Sequence, residues 1–346
     1  MKRIFMIAFV SLAVLAASAH AQVTTLRLDT FLPPGGFLTR PGTGVFDTWG
    51  SMLEKDSGGV LKLQVNPGGT LGAAGRDPGA QLKLVTDGVT DVTFVIPTTT
   101  PGRFPDDNLF GLPVANNSME ASLAFWRLHR AGMMRGYQDN SFHIVGLIVN
   151  PPNTLHTRAP VNRLEDLKGL KMQSSGQMQQ ELLRALGTVP VGTVTVRDTA
   201  EAMSRGVVDG TPKDWLALIN FRIGEVAQHH VDYPLGQATI LIAMNRNRLN
   251  GLPPSAKAAV EKSSGEAFVR LMAGRFDGES GSYFDRIRND PKHRIVTLPE
   301  AERKRWDETM EKVIAEWRKA DPVNDKLWQA YQKVLGEVRA DLKSGR

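Results

Sequence analysis

The 346-residue chain contains no cysteine. That absence excludes disulfides, thiolate metal sites, cysteine nucleophiles and a lipidated lipoprotein cysteine. Phosphate and dinucleotide motifs are missing as well. No Gly-Lys pair exists from which a phosphate-cradling loop could be built, and "PGTGVFD" has Asp47 where the third glycine of a dinucleotide fingerprint belongs. The nucleophile elbow G-x-S-x-G is also lacking. "GESGS", from Gly278 to Ser282, ends without the glycine and falls in a helical pattern. The 42 Lys and Arg and 36 Asp and Glu give a formal charge of +6 but form no basic run, so no nucleic-acid partner is indicated. At 41% hydrophobic and 23% charged residues, the composition is that of a globular chain, and its length calls for two lobes or one large α/β unit.

Only the start of the chain carries a sustained apolar run. Lys2 and Arg3 precede the stretch from Ile4 to Ala17, and Ala19-His20-Ala21 then supplies small residues for signal peptidase. About 14 apolar residues rise only about 21 Å as a helix, short of the roughly 30 Å hydrocarbon core, so the segment reads as a signal peptide over residues 1–21 and not as an anchor. Removing Lys2 and Arg3 from a +6 chain leaves +4 on a periplasmic protein starting at Gln22. Outside the cytoplasm neither ATP nor NAD is maintained, and no cofactor is expected. His229, His230 and Asp232 cluster in sequence, but adjacent helical residues do not face one another, so they read as a helix C-terminus and not as a metal site.

Periodicity predicts an α/β fold. "LRLDTF", a helix with Phe46, Trp49 and Leu53, "LKLQVNP", a helix from Gln81 to Asp87 and "DVTFVIP" make a β-α-β-α-β order, hence a parallel sheet with right-handed crossovers. A helix from Met119 to Ala131 and the buried strand "FHIVGLIVN" close this run at Pro151-Pro152. The same grammar then repeats through "LHTR", "LKMQSS", "VPVGTV" and a helix from Trp215 to Ala227, before "ATILIAMN" returns to the first lobe. Amphipathic helices follow over Ala256–Arg288, Pro299–Arg318 and Val323–Leu342, with Trp306, Trp317 and Trp328 as packing residues. The boundaries expected are 22–150 with about 239–282 for lobe I, and 151–238 with about 283–346 for lobe II including the C-terminal helices. Asp198, His156 and Ser174 form the one trio that could assemble a hydrolase triad across the cleft, although nothing in the sequence positions them.

Longer stretches resemble one family. "LHTRAPVNRLEDLKGLKMQSSGQMQQELLRALGTVPVG", "AEAMSRGVVDGTPKDW" and "EVAQHHVDYPLG", preceded by "GGVLKLQVNPGGTLG" and "LVTDGVTDVTFVIPTTTPGRFPDDNLFGLPV", are similar to the solute-binding proteins of tripartite ATP-independent periplasmic (TRAP) transporters, the DctP-like class. The resemblance covers roughly residues 22–250. It implies a two-lobed periplasmic binding protein, each lobe a sheet flanked by helices, with long C-terminal helices spanning or packing on both lobes. It implies no enzyme, but a receptor closing over a small solute and delivering it to membrane permease subunits. A homodimer through the C-terminal helices is compatible with it. A sensor module of the same fold and a secreted hydrolase are the competing functions. The resemblance also brings Ile96, Pro97 and Thr98 to the cleft, and carries Thr211 to Trp215 into the ligand face of lobe II.

One position departs from the family pattern. Most relatives have an arginine two residues after "LKGLK", whose forked donors clasp the solute carboxylate, and here that residue is Gln173. Two readings follow. In the preferred one, Arg158, Arg197, Lys171 or Lys213 supplies the missing charge and an organic acid binds in another pose. In the other, Asn153, Gln173 and Thr211 form a neutral hydrogen-bonding wall beside a Trp215 platform, suited to an uncharged or aromatic solute. Each candidate also has a plain structural reading: Trp215 as helix packing, His156 as a satisfied core histidine, Lys213 and Arg197 as solvated charges, and Phe31 as core.

Overall fold

The computed structural model describes residues 23–345, so the predicted signal peptide lies outside the described residues. Its strands are β1 (Thr24–Asp29), β2 (Leu61–Asn66), β3 (Val92–Val95), β4 (Phe142–Val149), β5 (Thr154–Thr157), β6 (Lys171–Gln173), β7 (Val189–Val191), β8 (Gly210–Lys213), β9 (His229–Val231), β10 (Thr239–Asn245) and β11 (Arg294–Val296). They form two sheets, ordered β2-β1-β3-β10-β4 and β11-β9-β5-β8-β6-β7. The predicted β-α-β-α-β run gives parallel β2, β1 and β3, and the returning strand β10 inserts antiparallel between β3 and β4. Every residue of β10 is buried, as its unbroken apolar sequence requires of a strand covered on both faces.

The two lobes are joined by paired crossings. The segment between β4 and β5 runs beside the segment leading back to β10: Asn150 N–H donates to the Ala238 carbonyl at 3.0 Å, Asn153 N–H to Gly236 at 2.8 Å, and Leu235 N–H to Asn153 at 2.8 Å. A short two-stranded ribbon of this kind bends while keeping its backbone bonds made, which suits a hinge. The Glu266–Arg288 helix makes a third connection. In lobe I its Asp277 carboxylate accepts from the N–H groups of Ser118 and Met119 at the start of the Ser118–Arg130 helix, and Phe276 meets Phe37 edge-on. In lobe II its Phe284 meets Trp215 edge-on at 5.1 Å.

Several expectations need correction. The helix predicted to run to Ala227 ends at Asn220; the chain reverses at Arg222 (φ 58°), held by paired bonds to Glu225, and so buries Ile223 and Ala227. The Ala256–Arg288 segment is two helices. They break at Gly265 (φ 73°), whose N–H donates to the Val145 carbonyl and where a Cβ would lie 2.8 Å from the Trp126 ring. His229 and His230 belong to a strand, β9, and not to a helix end. The last helix, Pro322–Lys343, does not pack within lobe II: it lies on the Ser118–Arg130 helix of lobe I through Arg339–Glu120 and Arg127–Asp341 ion pairs and a Tyr331–Phe110 contact. Trp306 and Trp317 are buried packing residues, and Trp328 is half-buried beneath the Arg318 guanidinium.

Candidate functional site

A cavity of about 140 Å³ lies between the lobes. It is built where the carboxyl ends of β1, β3, β6 and β8 converge, the position at which open α/β sheets leave a crevice. β1 delivers Phe31, β3 delivers Ile96 and Thr98, β6 is followed by Ser175, and β8 ends at Lys213. β4, which runs the same way as β3 on the far side of antiparallel β10, is followed by Asn150, and the reversed strand β5 contributes Asn153 from its amino end. Phe31 and Phe94 meet edge-on at 5.8 Å and make the lobe I wall apolar. Opposite them stand Met178 and Leu216.

Lys213 supplies the charge. Its side chain is 7% exposed, its Nζ donates to Ser175 Oγ at 3.1 Å, and among the described residues no carboxylate oxygen lies within 4 Å of it. Burial pulls its pKa down to about 8, opposed by the charge of neighbouring Asp214. Asp214 is itself committed: it caps the Trp215–Asn220 helix through Ala217 N–H and accepts from Asn150 Nδ2 at 2.5 Å. Next to Ser175 the Gln177–Ala185 helix begins at Gly176, which has no side chain to cap it, and its first turn carries no acid. The positive end of that helix therefore adds to the field of Lys213. One cation with spare donors, set in an apolar wall, has the chemistry to pair with a single anionic group on an otherwise apolar molecule.

The lobes are closed over this space. Arg197 Nη1 donates to the Phe31 carbonyl across the cleft. Gly176 (φ 80°) lies so near the other lobe that a Cβ there would come within 2.9 Å of Thr98 Cβ, so glycine is required both by conformation and by the close approach.

Of the residues singled out from sequence, Phe31, Thr98, Asn153 and Lys213 line the cavity. The others lie behind it. Gln173 is 1% exposed and its amide is used by the protein: Nε2 donates to the carbonyls of Ser174 and Val194, and Oε1 accepts from Thr211 Oγ1 at 2.7 Å. Gln173 and Thr211 thus brace one another in place of forming a ligand-facing wall. Trp215 packs into the lobe II core against His156, His230 and Phe284. Arg158 and Lys171 are exposed, and Arg197 is an interlobe tie. Sequence reasoning missed Phe94, Met178, Leu216 and Asn150, because apolar residues that line a cleft carry the same helix and strand periodicity as core residues.

His156 is a fully buried structural residue. Its Nε2 donates to the Lys213 carbonyl at 2.9 Å, which leaves Nδ1 to accept from His230 Nδ1–H at 2.8 Å, while His230 Nε2 accepts from His293 Nδ1–H at 2.9 Å. Burial holds His156 and His230 neutral, with pKa values lowered to about 3 and about 2. With both His156 nitrogens engaged and Asp198 bonded to Thr195, no triad with Ser174 is assembled.

The pattern of bacterial extracellular solute-binding protein family 7 matches residues 39–320. The chain belongs to that family. A relative in Comamonas testosteroni, named outer membrane transporter protein TsaT, is 24% identical over 271 residues, 75% of this chain and 76% of its own. A TRAP solute-binding protein of Rhodoferax ferrireducens, solved with copurified benzoate, superposes with a TM-score of 0.83 at 24% identity over 92% of this chain and 99% of that one. Another from Bordetella bronchiseptica, with bound mandelate, gives 0.79 at 21% identity over 92% and 99%. The two-lobed fold with long C-terminal helices is that of these TRAP solute-binding proteins.

Proposed function

We propose that this protein is a periplasmic TRAP receptor that closes over an aromatic monocarboxylate and presents it to its membrane permease. The observation that carries the reading is Lys213, a buried cation without an ion-pair partner among the described residues, facing an apolar interlobe cavity. Its volume, about 140 Å³, matches the ring: an apolar cavity of about 150 Å³ is enough to admit benzene. Similar folds have been solved with benzoate, 3-hydroxybenzoate and mandelate bound. Gln173 removes the arginine of most relatives, and Lys213 supplies the cation from the neighbouring strand. A solute touching both lobes binds the shut form more tightly and shifts the population toward it, which gives a permease a shape to recognise. Export through the predicted leader places the receptor outside the inner membrane.

Calorimetry with benzoate, mandelate and phenylacetate against benzamide and benzyl alcohol tests the solute class. Acids should bind and neutral analogues should not. Binding of the neutral compounds alone removes the role of Lys213, and new products in the recovered solute, read by NMR, would make the protein an enzyme.

A further inference from the structure

Among the described residues, the ionisable side chains lining the cavity are Lys213 and Asp214 from lobe II and Asp107 from lobe I. A monocarboxylate bound there brings the acidic groups to three around a single ammonium. Such an excess of negative charge is costly in a closed, apolar-walled space, and it is relieved when one carboxyl holds a proton.

Asp214 is unsuited to that role. Its Oδ1 accepts from Ala217 N–H and its Oδ2 from Asn150 Nδ2, and Asn150 is held in that orientation by Ala238 N–H, which donates to its Oδ1. Amide N–H groups only donate, so they favour Asp214 ionised.

Asp107 has the opposite surroundings. It is 3% exposed, and its carboxylate accepts from the Tyr137 hydroxyl (2.9 Å to Oδ1, 2.8 Å to Oδ2) and from Thr239 Oγ1. A hydroxyl can turn and accept where it donated, so this cluster serves Asp107 both charged and neutral. The groups around it come from several elements. Asp106 on the same Pro105–Leu109 turn is paired with Arg135; Tyr137, which precedes β4, has the His129 ring behind it at 6.0 Å; Thr239 lies on β10; and Lys213 belongs to the other lobe. Among the described residues no lysine or arginine nitrogen lies within 4 Å of the Asp107 carboxylate. Burial pushes its pKa up to about 7, with the Asp106 charge adding to the rise and the two hydroxyl bonds opposing it. Asp107, Tyr137 and Thr239 all belong to lobe I, so the cluster stays assembled when the lobes part.

We propose that Asp107 takes up a proton from solvent as the acid binds, so that the receptor captures the anion together with one proton. The inference rests on the monocarboxylate reading and deepens it. The solute carboxylate stays ionised against Lys213 and cancels the one positive charge in the cavity, while its apolar remainder displaces water, and both changes favour the neutral form of Asp107. Affinity is therefore highest below pH 7 and falls above it, where the free receptor has lost a proton that the complex retains.

The test is calorimetric titration with benzoate, mandelate and phenylacetate, at fixed pH in buffers of different ionisation enthalpy, on the wild type and on Asp107→Asn. At pH 7.5 the wild type should take up about half a proton or more per acid bound, and its dissociation constant should rise about fivefold from pH 7 to pH 8. Asp107→Asn resembles the neutral carboxyl in shape and charge. It should bind with no net uptake and with an affinity flat over that range. An absence of uptake in the wild type, which needs no variant to fold, would overturn the proposal while leaving the receptor reading intact, and so would equal uptake in Asp107→Asn. Absence of binding by all three acids would instead overturn the parent reading, and this one with it.

Discussion

Replacing Lys213 by methionine removes the buried ammonium while keeping an unbranched stem of similar volume. In the closed form burial lowers the Lys213 pKa from 10.5 to about 8, and at 1.36 kcal/mol per unit this puts the cost of holding the charge unpaired at about 3 kcal/mol near neutral pH. The part of that cost imposed by the facing lobe opposes closure of the empty receptor. A solute carboxylate relieves it and adds a charge-assisted hydrogen bond of about 1.5–3 kcal/mol. Lys213→Met should therefore weaken binding of the best acid about tenfold to a hundredfold, and should also let the empty protein close. In small-angle scattering the radius of gyration of the empty variant should approach that of the liganded wild type. Raising the pH of the empty wild type should act in the same direction. Above about 8 the closed form gives up its proton before the open form does, so the penalty fades between pH 8 and 10.5. An unchanged dissociation constant in the variant, or an empty variant as extended as the empty wild type, would refute the reasoning.

Arg197→Ala loses the tie to the Phe31 carbonyl, so affinity should drop about tenfold with little change in the melting temperature of the empty protein; an equal loss in both would make Arg197 a folding residue. Trp215→Ala, by contrast, empties a core position away from the cavity and should cost about 3–5 kcal/mol of stability in urea unfolding. Gln173→Ala should likewise lower the melting temperature more than affinity, because its amide braces Thr211, Ser174 and Val194, and a selective loss of binding would return it to the ligand site. His156 and His230 stay neutral in the fold at pH values where the unfolded chain protonates them. Stability should thus fall as pH drops below 6.5 toward 3, and His156→Gln should flatten that decline; the same slope in both proteins would exclude these histidines as its source.

The sequence alone determined the two-lobed α/β architecture, the parallel order of β1, β2 and β3, the return of β10 to the first lobe and the family. These follow from local periodicity, turn glycines and runs of motifs, all of which are written in consecutive residues. It also narrowed the replacement cation to four residues. Tertiary structure chose among them: Lys213 enters the cavity because β8 ends at the interlobe edge, while Arg158 and Lys171 face solvent and Arg197 is used as a tie. The roles of Gln173, Thr211, Trp215 and His156 also changed for a tertiary reason. Whether a side chain on a short strand or helix meets a ligand or a neighbouring element depends on what packs against it, and their partners come from Val194, His230 and Phe284, remote in sequence. The same holds for the end of the Trp215 helix and for the break at Gly265, where the contacts of Ile223 and Trp126 decided against the helical periodicity. Periodicity records that a face is buried, and only the packing of distant segments decides whether it is buried against protein or against a solute.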